Sequence, residues 1–170
     1  MEKYGIKTYG SAVLRKKAGR VKEVDEGIRK LAAVMEKVMV EAKGLGLAAP
    51  QIGVEKRVIV FDGGKGNLCL VNPKVMWKKG RLVLNEGCLS FPGIGLEIKR
   101  AKEIGVKAVD LGGREVRFVA CGVRACIIQH EIDHLDGILI IDRVRRKELK
   151  TIESRLKEIE KNSSDKNDKA

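Results

Sequence analysis

The stretch Gln129-His130-Glu131-Ile132-Asp133-His134-Leu135-Asp136-Gly137 holds both histidines of a 170-residue chain. Residues four apart share one face of a helix, so His130 and His134 can offer their imidazoles to a single metal ion. Glu131 projects beside them, where it can accept a proton from water polarised by that ion. Gly137 supplies a left-handed cap after the last turn. Residues 122–136 therefore read as a helix carrying a metal-hydrolase centre that still lacks a ligand. No further histidine is present to fill that position.

Some metal-hydrolase sequences place a third histidine six residues after the second, but here that position is Ile140. Glu153 and Glu158 fall in a charge-rich segment that reads as a solvated helix face. Cys126 would lie about 12 Å along the helix axis from His134. Ligand bonds of roughly 2.0–2.3 Å cannot readily span that separation. The same geometry disfavours a structural zinc module built from Cys121, Cys126, His130 and His134, and leaves Cys126 and Ile127 packed beside the site. Cys69 sits in an apolar strand and reads as core. Cys88 lies in Glu86-Gly87-Cys88-Leu89-Ser90, between a strand and an expected turn at Phe91-Pro92-Gly93. The neighbouring glycine permits close approach of another backbone, which makes Cys88 the best candidate for the missing ligand.

Upstream, Asp25 caps a helix expected to run to about residue 42. Its apolar stripe comprises Ile28, Leu31, Ala32, Met35, Val38, Met39 and Ala42. Gly44-Leu45-Gly46 ends this helix and opens a loop reaching about Gly53. Residues 58–61 form a buried strand, and a glycine-rich connection leads to a strand at 68–71 that Pro73 is expected to end. Shorter strands are expected at 75–77, 81–84, 95–99, 104–109 and 116–119. A C-terminal helix spans 146–161 with Leu149, Ile152, Leu156 and Ile159 on its buried face. The expected fold is one α+β domain over residues 1–161: short antiparallel or mixed strands packed around the central metal-binding helix, with flanking N- and C-terminal helices. Residues 162–170 are polar and expected to form a disordered tail.

The composition, 44% hydrophobic and 34% charged, fits a soluble globular chain. Aromatics make up only 4%, so the core rests on Val, Ile, Leu and Ala. No apolar run reaches membrane-spanning length. Met1-Glu2-Lys3-Tyr4-Gly5 has no apolar signal core, so a cytoplasmic location is expected. The four cysteines then read as thiols or metal ligands. The formal charge of +12 favours association with nucleic acid, ribosomes or anionic surfaces, and equally fits a lysine-rich solvated surface.

Three motifs occur together in order. Gly44-Leu45-Gly46-Leu47-Ala48-Ala49-Pro50-Gln51 fits GxGxAAxQ, Glu86 to Ser90 reads EGCLS, and Gln129 to Gly137 fits QHExDHLxG. With this spacing the chain strongly resembles the peptide deformylases. The resemblance covers nearly all of the chain that is expected to be ordered, including Val13-Leu14-Arg15, Asn72-Pro73 and Arg100. It departs from the family in lacking a proline often found before Val13 and in a short connection between the strands ending at Phe61 and starting at Leu68. Neither departure touches a motif.

The resemblance implies removal of the N-formyl group from the initiator methionine of nascent polypeptides, giving formate and a free amine. It implies that Cys88, His130 and His134 hold one divalent ion, natively Fe2+, for which Zn2+, Ni2+ or Co2+ can substitute. A thiolate and two neutral imidazoles leave such an ion Lewis-acidic, so hydroxide formed on it can attack the formyl carbon. Glu131 then acts as general base and acid, while Gln51 and the Leu89 N–H stabilise the oxyanion. Gly44, Leu45 and Gly46 present backbone to an extended peptide, and Leu45 with Ile127 lines a methionine pocket. Asp133 is expected to orient a ligand or cap a neighbouring segment, and Arg100 to pair with Glu86.

Residues 143–161 carry eight basic and four acidic side chains. Such a helix can dock on ribosomal phosphates near the exit tunnel, and a solvated amphipathic helix accounts for the same pattern. No membrane association and no specific DNA binding are expected. The competing readings are another HExxH peptidase and a non-enzymatic ribosome-associated relative. Intact Gln51, Cys88, His130, Glu131 and His134 argue against the latter.

Overall fold

The computed structural model describes residues 4–167. Its seven strands are β1 (Gly46–Ala48), β2 (Val58–Asp62), β3 (Asn67–Lys79), β4 (Leu82–Cys88), β5 (Phe91–Arg100), β6 (Glu103–Val109) and β7 (Glu115–Cys121). Five form an antiparallel sheet in the order β1-β2-β3-β6-β7, while β4 and β5 make a separate hairpin. Three α-helices, α1 (Glu26–Glu41), α2 (Gly122–Leu135) and α3 (Arg146–Asn167), complete the α+β domain.

Alternation along β2 places α1 and α2 on opposite faces of the sheet. Ile59 and Phe61 pack in one cluster with Ile128 and Leu135 of α2. Val58 and Val60 pack in another with Met35 and Met39 of α1. Burying each methionine contributes about 2 kcal/mol. The Asp25 carboxylate accepts a 2.8 Å hydrogen bond from the Ile28 N–H, satisfying a donor that the first turn of α1 would otherwise leave free.

The α2 helix is buried on most of its circumference, as a helix at the centre of a domain must be. Gly137 turns the chain away at φ +71°, and a Cβ there would stand 2.6 Å from the Arg15 carbonyl oxygen. The α3 helix lays Leu149, Ile152, Leu156 and Ile159 against a third cluster containing Phe91, Ile94, Leu96 and Ile98 of β5.

Four local expectations are corrected. Pro73 does not end a strand, because β3 continues through it to Lys79 and absorbs residues 75–77. A register shift between Val71 and Lys74, with Asn72 at φ 51°, interrupts the ladder where proline has no N–H to donate. Residues 44–53 are not all loop, since they contain β1 and a 3-10 helix at Ala49–Ile52. Phe91-Pro92-Gly93 opens β5, and the reversal is made one step earlier by Leu89 and Ser90, with Cys88 opposite Phe91.

The fourth correction concerns the tail, which was expected to be disordered from residue 162. The α3 helix continues to Asn167, and Ser163 is buried with its Oγ 3.0 Å from that of Ser11. That long-range contact anchors a segment whose composition is polar. Residues 168–170 of the expected tail lie outside the described residues. No described helix is long and apolar enough to cross a membrane.

Candidate metal centre and active site

His130 and His134 lie one turn apart on α2, and β4 delivers Cys88 to them as its last residue. The Cys88 Sγ is 3.2 Å from His134 Nε2. One ligand atom from each of Cys88, His130 and His134 falls within 4.8 Å of the others. A tetrahedral ion would set such S and N atoms roughly 3.3–3.6 Å apart, so side-chain adjustments of about 1 Å or less let this triad hold one. Cys126 is buried in the cleft wall and stands outside the triad.

The electrostatics also suit a cation. Burial opposes protonation of His130, yet Cys88 and Glu86 push its pKa well above the ordinary value. The groups that favour a proton there equally favour a divalent ion. Burial drives the His134 pKa well below its ordinary value, keeping that ring in the neutral form that binds metals.

A carboxylate unassigned to this role from sequence orients the first histidine. His130 Nδ1 donates to Glu86 Oε2 at 2.9 Å, which leaves Nε2 for the ion. Arg100 grips Glu86 with two hydrogen bonds of 2.8 Å, in the expected pairing. Burial resists ionisation of Glu86, but the bonds from Arg100 and His130 prevail and hold its pKa down at about 2. Arg100 also reaches Asp133 at 2.5 Å, and Arg143 binds both Asp133 oxygens. Among the described residues the Asp133 carboxylate bonds to Arg100 and Arg143 and to neither histidine, while its backbone carbonyl accepts from the Asp136 and Ile138 N–H groups at the end of α2. The carboxylate acts one step removed, through Arg100 to Glu86.

Glu131 is buried, and desolvation raises its pKa to about 7. Its Oε2 has no hydrogen-bond partner among the described residues. The carboxylate lies so close over Gly46 that a Cβ at that position would overlap Oε1. The Gln51 side chain is held at both ends: Oε1 accepts from the Ala48 N–H at 2.8 Å and Nε2 donates to Ser90 Oγ at 3.2 Å. The same Nε2 faces Cys88 Sγ at 3.6 Å. Ser90, fully buried, was not singled out from sequence, because a serine in a turn carries no distinctive signal.

These groups meet at a cleft of about 480 Å³ that includes Gly44, Leu45, Gly46, Gln51, Cys88, Leu89, Ile127, His130 and Glu131 in its lining. Every site residue expected from sequence except His134 lines it, and His134 is held against Cys88. Leu45 is exposed and Ile127 half-buried, whereas Leu89 packs partly against the α1 cluster.

The model of the polypeptide deformylase family matches residues 3–150. The chain belongs to that family. The peptide deformylase of Syntrophomonas wolfei is 43% identical over 159 residues, covering 94% of this chain and all of that relative. The peptide deformylase of Thermomicrobium roseum is 48% identical, covering 82% and 84% of the two chains. The crystal structure of peptide deformylase from Thermus thermophilus superimposes with a TM-score of 0.89 at 39% identity, covering 94% of this chain and 99% of that one. A deformylase is a metal-dependent hydrolase of protein biosynthesis that removes the N-formyl group from nascent peptides, and this chain is such an enzyme.

Proposed function

We propose that Cys88, His130 and His134 hold the metal of this deformylase and that Glu131, Gln51 and the Leu89 N–H carry out the proton transfers and charge stabilisation. The supporting observation is the convergence of a thiol and two imidazoles beside a buried carboxylate whose Oε2 lacks a hydrogen-bond partner among the described residues, all at one cleft. A bound divalent ion supplies Lewis acidity toward a carbonyl oxygen and toward water. Glu131, with its pKa raised to about 7, takes a proton from the attacking water and returns it to the departing nitrogen. Gln51 Nε2 and the Leu89 N–H donate to the oxygen that gains charge.

The edge strand β1, with Gly44, Leu45 and Gly46, offers backbone to an extended formyl-methionyl peptide. Leu45 and Ile127 form an apolar wall for the methionine side chain. The native ion is Fe2+, with Zn2+, Ni2+ and Co2+ as substitutes. A simple affinity contest would favour Zn2+, so metal availability selects the ion. The enzyme works in the cytoplasm, and the basic face of α3 brings it to ribosomal RNA near the exit tunnel.

The test is formate release from a formyl-Met peptide by anaerobic protein loaded with Fe2+ or Ni2+. Glu131→Ala should retain one metal per chain and lose at least about 100-fold in turnover. Near-normal turnover by that metal-replete variant would remove Glu131 from the reaction. Cleavage of unformylated peptides without formate release would favour the peptidase reading.

A further inference from the structure

A second, larger groove of about 960 Å³ lies on the side of α2 that carries Gln129, Ile132 and Asp133, and includes Asp136 at the end of that helix. It shares no lining residue with the cleft that contains Glu131. Nine basic side chains line it against two carboxylates. Four of the nine are ion-paired: Arg57 with Asp136, Arg100 with Glu86 and Asp133, Lys107 with Glu115, and Arg143 with Asp133. The other five, Lys17, Arg20, Lys74, Lys78 and Lys99, are exposed and make no ion pair among the described residues. We propose that this groove binds the phosphate backbone of a nucleic-acid duplex without reading its sequence.

The distribution of charge selects that occupant. A small anion is caged by convergent buried donors, but the buried guanidinium here, Arg100, is already paired with two carboxylates through three hydrogen bonds. The unpaired cations stand apart on three segments: Lys17 and Arg20 before α1, Lys74 and Lys78 on β3, and Lys99 on β5. Separated cations suit a chain of phosphates, each contact releasing counterions. The concave shape disfavours a flat lipid surface. No aromatic residue lines the groove, so it has no platform on which unpaired bases could stack. That absence favours a duplex over a single strand. The walls are fixed: Ala18 N–H donates to Leu135 O at 2.9 Å and Gly19 N–H to Glu55 O at 2.9 Å.

The experiment is fluorescence anisotropy of a short labelled RNA duplex titrated with the metal-loaded full chain across a series of salt concentrations. The combined variant Lys17→Gln, Lys74→Gln, Lys78→Gln should flatten the plot of log K against log salt by roughly 0.7–0.9 per lost contact. Its turnover of formyl-Met peptide should equal that of the unaltered chain, which reports an intact fold. A matched variant on α3, Lys150→Gln, Lys157→Gln, Lys161→Gln, should leave the groove contribution in place. The proposal is overturned by absence of RNA binding in the unaltered chain, or by an unchanged slope in the groove variant. It is also overturned if orthophosphate displaces the duplex at a concentration that matched ionic strength does not explain, because the site is then a small-anion pocket.

Discussion

Glu86 and His130 are joined by a 2.9 Å hydrogen bond, and that bond links α2 to the β4–β5 hairpin that carries Cys88. Glu86→Gln removes the charge that draws on the His130 Nδ1 proton and leaves Arg100 without its bidentate partner. Loss of such a supporting contact weakens metal binding by about 10–100-fold. Chelator competition on the folded variant measures this. Unchanged metal affinity would show that the ring is oriented by packing alone.

Gly46 is required by Glu131 rather than by its own backbone, since the carboxylate occupies the space of a side chain there. Gly46→Ala should displace the Glu131 carboxylate, and on the proposed mechanism this moves it away from the attacking water. Displacement of a proton-transfer group lowers kcat by roughly 100-fold while KM moves far less. Steady-state kinetics of the metal-loaded variant, beside its thermal midpoint, separates this from unfolding. A fall in stability with kcat preserved would sink the argument.

The α2 helix was legible in the sequence because two histidines four apart leave one face to share, and Gly137 closes the helix behind them. The apolar stripe of α1 and its Asp25 cap were legible for the same reason, being periodic and local. The partner of His130 was not legible, because Glu86 is 44 residues away and only pairing of β4 with β5 and packing on α2 brings it there. The same limit hid Ser90 behind Gln51 and Arg143 behind Asp133. Pro73 misled because a bulge tolerates what a regular ladder does not, and a bulge leaves little trace in the apolar pattern. The anchoring of residue 163 depends on Ser11, a partner 152 positions distant.

Asp25 caps α1 and lines no part of the cleft. Asp25→Ala leaves the Ile28 N–H without its acceptor and should cost about 1 kcal/mol. For a chain of this size that lowers Tm by roughly 2–4 °C. Thermal unfolding followed by circular dichroism checks the loss, and kcat should be unchanged. A Tm within error of the unaltered chain would mean that water caps the helix equally well.

Cys69 gives the fold a dependence on alkaline pH that is independent of the metal site. Burial, reinforced by the nearby Glu36 carboxylate, pushes its thiol from the ordinary value of 9.0 up to about 12. Below pH 9 the folded and unfolded chains both keep the proton, so this residue adds no pH dependence. Between about pH 9 and 12 the unfolded chain releases the proton and the folded chain retains it, so stability falls as pH rises. Cys69→Ala deletes this linkage while leaving those of Cys121 and Cys126 in place. Urea unfolding at a pH below 9 and again at about pH 10.5 should show a larger fall in midpoint for the unaltered chain than for the variant. Equal falls in the two proteins would mean that the Cys69 thiolate forms as readily in the folded chain as in the unfolded one.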